Sequence, residues 1–367
     1  MKVSIITTTI NYPDLLIKYA KDSVSVSKKH DINFIIAGDL KTPVKTKNLC
    51  ENIKKKYKIE CIYLDTKSQT KYLAKFDKLK KYLSWNSVQR RNVAFLKAIE
   101  TGSEIIITID DDNFLESKNF IHKHIKTFSQ KSHAMISSNN GWYNVCNLLK
   151  EKNNNSFFHR GYPVSKRKLN TKINIQKVKN KKIAINAGLW LGDPDVDAVT
   201  RLSNNIIATK YKSRNNFILN KNTNSPFNSQ NTAINSNIAP CYFLSSDVGR
   251  MDDIYASYVT KKICDHLNYF ISYGEPLVKQ DRNNHNIWRD LELEAPYHEC
   301  LEIFLKYLKE IKLSKSSDTF FKSTLELMNR LKFKVKTNKK KSEKKILNKF
   351  INGYLIWLET LKILKIY

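Results

Sequence analysis

The sequence predicts an α/β protein with a mostly parallel sheet and flanking helices, extended at its C-terminal end by basic helix. Two observations carry that reading. Short β-branched runs alternate with helical stretches across the first 115 residues, the rhythm of parallel strands joined by crossover helices. After about residue 300 the pattern changes to long, Lys-rich amphipathic helix.

Taken in order, residues 3–10 read as a strand ending in Thr7-Thr8-Thr9, and Pro13 to Ser27 as a helix. A second strand, Asn33 to Ala37, closes on Gly38-Asp39; Lys47 to Lys58 is a basic helix and Ile59 to Leu64 a third strand. Ser87 to Thr101 reads as a helix stopped by Gly102, ahead of an apolar strand at Ile105 to Ile109. This is the layout of a nucleotide-binding half. From about 130 to 245, Asn-rich stretches interrupt short strands, and residues 251–270 return to helix. In the last segment Leu347, Phe350, Ile351, Tyr354, Leu358 and Leu361 recur at helical spacing among lysines. Such a stripe packs on its own domain, lies on an anionic membrane surface, or pairs with a second copy as a homo-oligomer.

The chain has 367 residues and is 41% hydrophobic, enough to supply a real core. No apolar run reaches the roughly 18 residues of a membrane span, and the N-terminus reads as a strand rather than a secretory signal. Cys50, Cys61, Cys146, Cys241, Cys264 and Cys300 form no Cys-x-x-Cys pair and no zinc spacing. Reduced thiols in a cytoplasmic protein are therefore expected, and a structural zinc is not. Lysine and arginine number 64 against 34 acidic residues, a formal net charge of +30. Abundant lysine and asparagine make an AT-rich genome one source of that bias. Its functional readings are capture of phosphorylated substrates, attraction to a membrane's inner face, or nucleic acid. No nucleic-acid module is present, so that last partner is not expected.

Against this basic background, Asp110, Asp111 and Asp112 follow directly on an apolar strand. Adjacent carboxylates raise the cost of ionising one another. A cation must offset it, and a divalent metal holding a phosphorylated substrate is the usual solution. Arg90 and Arg91, on the preceding helix, are placed to meet a nucleotide phosphate or to hold the aspartates. Downstream, His159-Arg160-Gly161-Tyr162-Pro163 has a backbone constrained by Gly and Pro. Trp190 is either a stacking face for a sugar or core. Asp193, Asp195 and Asp197 alternate as acceptor-hydroxyl binders or a base, and Asp252 and Asp253 sit at a helix head, where capping accounts for one of them.

Ile107-Thr-Ile-Asp-Asp-Asp-Asn113, Arg160-Gly-Tyr-Pro163, Gly188-Leu-Trp-Leu-Gly-Asp-Pro-Asp-Val-Asp-Ala198, Arg250-Met-Asp-Asp-Ile254 and Lys262-Ile-Cys-Asp-His-Leu267 together resemble the reversibly glycosylated polypeptides, a plant family that includes UDP-arabinopyranose mutases. Ile5-Ile-Thr-Thr-Thr-Ile-Asn11, Gly38-Asp-Leu-Lys-Thr-Pro43 and Pro226-Phe-Asn-Ser-Gln-Asn231 are similar to the related STELLO-type glycosyltransferases. The resemblance implies a GT-A-type, Rossmann-like fold, with residues 1–300 as the catalytic nucleotide-sugar domain and 301–367 as the helical extension. It also implies a nucleoside-diphosphate sugar, a UDP-sugar by preference, and a divalent cation, Mn2+ or Mg2+. Asp110 to Asp112 fall on the Asp-x-Asp site, with Asp110 and Asp112 as metal ligands and Asp111 beside the nucleotide sugar. Thr7, Thr8, Thr9 and Asp39 fall where base and ribose are held. Arg160 falls on an arginine that the family glycosylates or uses near the sugar, with Arg167 a nearby competitor. The family's Trp-His pair after the Gly-x-Pro turn is missing at Gly274-Glu-Pro276, and a histidine arrives only at His285: either His285 takes over as the distal metal ligand or the metal is held differently; Arg282 adds positive charge. The expected activity is metal-dependent transfer of the sugar to a glycan or other hydroxyl acceptor, with Asp252 or Asp253 positioning or deprotonating it. The alternatives are a UDP-sugar pyranose/furanose mutase and a non-catalytic binder of nucleotide sugar or an anionic surface.

Overall fold

The structure is a computed structural model that describes residues 1–213, 215–282 and 286–366. Strand β1 (Lys2–Thr9), helix α1 (Leu16–Ser27), β2 (Asp31–Gly38), α2 (Thr46–Tyr57) and β3 (Glu60–Leu64) alternate as the apolar pattern predicts. Two short helices that the pattern does not reveal, α3 (Thr66–Tyr72) and α4 (Asp77–Tyr82), follow before α5 (Arg91–Glu100) and β4 (Ile105–Thr108). The expected Ser87–Thr101 helix begins instead as a 3-10 turn, Val88–Arg90. These four strands pair in parallel in the order β3-β2-β1-β4. β1 and β2 are buried over most of their length, which is why they read as continuous apolar runs.

Beyond β4 the chain makes β5 (Asn113–Leu115), α6 (Phe120–Ser129), β6 (Ser132–Ser138), β7 (Leu149–Glu151), β8 (Ile173–Lys179), β9 (Lys182–Gly192), α7 (Ala198–Ser203), β10 (Ala208–Tyr211), β11 (Phe217–Leu219) and β12 (Thr232–Asn235). Then come α8 (Asp252–Leu267), β13 (Tyr269–Gln280), α9 (Ile287–Glu310), α10 (Phe320–Lys336) and α11 (Lys341–Ile363). β12 lies antiparallel to both β4 and β9, β9 runs parallel to β13, and β11 is antiparallel to β13. The sheet is therefore mixed. The expectation of a mostly parallel sheet holds for the first four strands and fails beyond them. Parallel pairing needs a crossover connection, and much of the second half joins its strands by turns and Asn-rich loops. The long β13 also replaces the end of the helix expected through residue 270, because α8 stops at Asn268 in the left-handed conformation (φ 62°).

Three features of this sheet build one end of it. β4 delivers Asp110 to Asp112 at its carboxyl end, where the Asp110 backbone N–H donates to Asn113 Oδ1 (2.9 Å) and shapes the turn. The loop before β12 brings Ser229 and Gln230 over the same edge. β5 pairs with the last residues of β13, and the Asp281 N–H reaches the Asp112 carbonyl (3.2 Å), so Gln280 and Arg282 arrive beside the aspartates.

The apolar stripe of α11 points inward: Leu347, Phe350, Ile351, Tyr354, Leu358 and Leu361 are all buried in the cluster that also contains β1 and β4. Trp357 stacks on Phe243 (5.2 Å between ring centroids) and donates from Nε1 to the Ala239 carbonyl (2.8 Å). Any contact of α9–α11 with a membrane or a second copy falls to their outer, lysine-bearing faces. Among the described residues no helix is long and apolar enough to cross a membrane. All six cysteines are free and buried.

Candidate active site

A cleft of about 530 Å3 opens at the carboxyl end of β4 and β1. Seven aspartates (39, 110, 111, 112, 195, 252 and 253) and four arginines (91, 160, 250 and 282) line it, leaving an excess of three negative charges when all are ionised, on a chain of net +30. Thr8 and Thr9 complete the set of predicted residues found there.

The three consecutive aspartates have different surroundings. Asp110 is held by Arg91 on one oxygen and by the Gln230 amide on the other. Asp111 accepts from Thr9 Oγ1 (2.6 Å) and Asn11 Nδ2 (3.1 Å). Asp112 has only long contacts, from Gln280 Nε2 (3.4 Å) and Asn113 Nδ2 (3.5 Å). Even the first of these is better satisfied elsewhere, because the Gln280 amide fits best turned toward Gln230 and Asp193. Burial and the neighbouring Asp110 push the Asp112 carboxyl up to about 7, although Arg282 pulls the other way. Burial likewise raises Asp111.

On the opposite wall the guanidinium of Arg160 is shared between two carboxylates. Nε and Nη2 donate in parallel to Asp195 (2.9 and 3.1 Å), and Nη2 also reaches both oxygens of Asp253 (3.0 and 3.2 Å). Nη1 donates to the Arg250 carbonyl, and Arg250 itself is anchored on Asp290 (3.1 Å) and Glu294 (3.2 Å) of α9. Burial works against the Arg160 charge, but the two carboxylates more than offset it and hold its pKa well above the ordinary value. Asp252, next to this ion pair, has no ion-pair partner of its own among the described residues. It accepts from Gln89 Nε2 (2.8 Å) and the Asp253 N–H (2.9 Å), and burial together with the Asp253 charge raises it to about 7. Adjacent carboxyl groups in one cleft are thus set apart, one fixed as an ion-pair partner and one poised to exchange a proton near neutrality.

Asp39 accepts the N–H groups of Asn86 (2.8 Å) and Ser87 (3.1 Å), pinning the loop that forms the rim near Thr8 and Thr9. Arg282 lies 3.5 Å from Asp193 and 3.7 Å from Asp195. Three expected residues do not reach the cleft. Thr7 is buried and bonds to the neighbouring backbone. Arg90 turns inward, donating to Gln69 Oε1 (2.8 Å) and lying over the Trp85 ring (3.8 Å), because consecutive residues at a helix start point about 100° apart and only Arg91 can face the aspartates. Trp190 is fully buried against His159 (5.4 Å), which makes it core and not a sugar platform. Of the alternating aspartates, Asp193 pairs with Arg201 and Asp197 with Arg167, which removes Arg167 as a competitor of Arg160. His285 lies outside the described residues. Asn11, Gln89, Ser229, Gln230, Arg250 and Gln280 were not expected in the site; Asn11, Ser229, Gln230 and Arg250 stand in segments that carry the resemblance, Gln89 and Gln280 lie outside them, and the uncharged members give no charge signal of their own.

The donor chemistry fits a hard divalent cation. Asp112 is a crowded carboxylate lacking a close donor, Asp110 lies beside it, and both offer oxygen. Among the described residues no group of three His, Cys, Asp or Glu side chains forms a complete metal cage. The remaining ligands would come from the nucleotide or from outside the described residues.

An α/β sheet with an aspartate turn at a strand's carboxyl end, faced by buried arginines, defines a protein of the open-sheet α/β class, in which ligand sites lie at the carboxyl ends of strands. The family model described as reversibly glycosylated polypeptide matches residues 44–364, and the chain belongs to that family. It is 28% identical over 248 residues to "Probable UDP-arabinopyranose mutase 4" of Arabidopsis thaliana, covering 63% of this chain and 61% of that protein. It is 27% identical over 272 residues to "UDP-arabinopyranose mutase 2" of the same plant, covering 69% and 67%. The alignments thus span about two thirds or less of the relatives' own length. Among solved structures, glucosyl-3-phosphoglycerate synthase from Mycobacterium tuberculosis is similar at 10% identity and a TM-score of 0.43, over 83% of this chain and 79% of that one. TarS 1-349 of S. aureus is similar at 11% and 0.43, over 99% and 92%. The family assignment rests on the sequence match.

Proposed function

We propose that this chain is an enzyme that interconverts the pyranose and furanose forms of a UDP-sugar, on a scaffold of the GT-A type with residues 1–300 carrying the site and 301–367 packed onto it. The observation that carries this reading is the family match over residues 44–364, with relatives named UDP-arabinopyranose mutases. Transfer to a separate acceptor, the activity expected from the motifs alone, has less support from these relatives.

The cleft supplies the chemistry such an exchange needs. The sugar C4 oxygen attacks the anomeric carbon as UDP leaves with the bonding pair, and the attacking hydroxyl loses its proton. When UDP returns to that carbon, the former ring oxygen departs and takes a proton back. One group must therefore accept and later donate the same proton. Asp252, raised to about 7, is matched to both directions. Arg160, kept charged by Asp195 and Asp253, acts as a fixed positive pole and not as a nucleophile. Thr8, Thr9 and Asp39 form the nucleotide end. Asp110 and Asp112 would hold Mn2+ or Mg2+, which when bound neutralises the diphosphate. Such an enzyme would work in the cytoplasm, its six thiols reduced.

The test needs no acceptor. The purified chain is incubated with Mn2+ and UDP-arabinopyranose or another common UDP-sugar, and products are resolved by anion-exchange chromatography. A ring-contracted UDP-sugar at a fixed equilibrium ratio is expected. No isomer from any UDP-sugar, with transfer appearing once a glycan is added, overturns the mutase reading in favour of a transferase.

A further inference from the structure

A second pocket, of about 860 Å3, shares no lining residue with the aspartate cleft. Its walls come from four separate segments: the end of β6 running into the loop bearing Trp142, the turn after β11, and helices α8 and α9, with Lys166 at the rim. The two sites differ in their cations. The aspartate cleft has four arginines and no lysine, whereas the second pocket has six lysines (Lys166, Lys221, Lys261, Lys262, Lys306 and Lys309) and no arginine.

Two acidic residues, Asp265 and Glu302, line the pocket with these lysines, and Glu310 beyond it interacts with Lys306. Asp265 is taken by the buried Lys261, whose Nζ lies 2.6 Å from both carboxylate oxygens and also donates to the Lys221 carbonyl (2.9 Å), fixing the turn. Glu302 accepts from the Ser165 hydroxyl (2.9 Å). The other five lysines have no ion-pair partner among the described residues. Lys262 is half-buried, and burial lowers its pKa, so its ammonium gains from an incoming anion. Ser138 adds a buried Oγ with no hydrogen-bond partner. Trp142, packed edge-on against Tyr162 (5.5 Å) and Tyr258 (6.1 Å), supplies a rigid wall.

We propose that this pocket binds a ligand carrying two or more phosphates. Six lysines lining one pocket repel one another, and its two carboxylates leave four of those charges uncompensated. Lysine is a compact, three-donor cation that meets phosphate oxygens as a point charge. The ligand is either a free polyphosphorylated molecule or a polyphosphorylated lipid headgroup. Both present the same chemistry.

The experiment compares wild type with two triple variants of equal charge change. One, Lys262→Ala/Lys306→Ala/Lys309→Ala, strips the pocket. The other, Lys341→Ala/Lys345→Ala/Lys349→Ala, removes exposed lysines from α11. Inorganic tripolyphosphate is titrated calorimetrically into each protein in EDTA, which silences metal-dependent binding in the aspartate cleft. Co-sedimentation is measured with phosphatidylcholine vesicles with and without phosphatidylinositol bisphosphate. Binding roughly tenfold weaker in the pocket variant, and within about twofold of wild type in the α11 variant, is expected. Pocket-dependent sedimentation with the bisphosphate vesicles identifies the headgroup as the source, and tripolyphosphate binding without it identifies a free ligand. Equal weakening in both variants, or no tripolyphosphate binding by wild type, overturns the proposal. Circular dichroism melts that coincide for all three proteins establish that folding is intact.

Discussion

Arg160→Met is the most informative single change, because it removes one cation from two buried carboxylates. Arg160 lies 2.9 and 3.1 Å from the Asp195 oxygens and 3.0 and 3.2 Å from those of Asp253. With charge centres about 4 Å apart and an effective dielectric of about 20, each pair is worth about 4 kcal/mol in attraction, part of which burial offsets. Breaking such a pair while its partner stays buried costs about 3–5 kcal/mol, the loss expected here at pH 7. The pH dependence gives a second check. Burial pushes Asp195 up, but Arg160 more than offsets this and holds the carboxyl well below its ordinary range. A depressed carboxylate contributes stability that is present above its unfolded pKa of about 4 and is lost as pH falls through its folded value. The variant lacks that contribution, so the gap between the two proteins is widest above about pH 5 and narrows below about pH 4. Urea unfolding followed by tryptophan fluorescence at several pH values measures it. A loss under about 1 kcal/mol at pH 7, or a gap that widens on acidification, refutes the idea that Arg160 is the charge anchor of this wall.

Three further outcomes follow from the same geometry. Asp112→Asn relieves the crowding that raises this carboxyl to about 7, so the metal-free protein melts a few degrees higher, by about 2–4 °C per kcal/mol, while stabilisation by Mn2+ with UDP disappears in the same thermal-shift assay. Asp252→Asn lowers turnover by about 10²–10⁴ with UDP-sugar affinity unchanged, and the wild-type rate profile loses its inflection near pH 7; steady-state kinetics from pH 5.5 to 9, together with calorimetry, separate the two effects. Trp357→Ala empties the stack on Phe243 and leaves the Ala239 carbonyl without its donor; urea unfolding reads the expected loss of about 3–5 kcal/mol.

Much of the first half was legible because its strands are largely buried and joined by helices, so apolar runs, Gly102 and the Asp39 turn mark its elements directly. The candidate site was legible where charge is conspicuous: twelve expected residues, from Thr8 to Arg282, line one cleft. It was illegible where the decision belongs to orientation. Arg90 and Arg91 are neighbours in the chain, yet one braces Gln69 and the other Asp110. Trp190 lies in a motif dense with aspartates, yet its strand is covered on both faces. Gln230, which holds Asp110, and Gln280, which fits against Gln230, carry no charge to announce them.

By itself the sequence determined the family, the parallel first half, the aspartate turn at the end of β4 and the existence of an apolar stripe on α11, whose inward direction the structure decided. Those features depend on local periodicity and on residue types whose burial or charge has one favourable solution. Tertiary structure alone decided that β12 enters antiparallel between β4 and β9, that β13 carries Gln280 and Arg282 to Asp112, and that Arg160 divides its charge between Asp195 and Asp253. It also decided that Asp252 is left without an ion-pair partner among the described residues. Pairing across 35 and 93 residues of chain depends on how loops close over the sheet, and that closure sets which carboxylate keeps its proton.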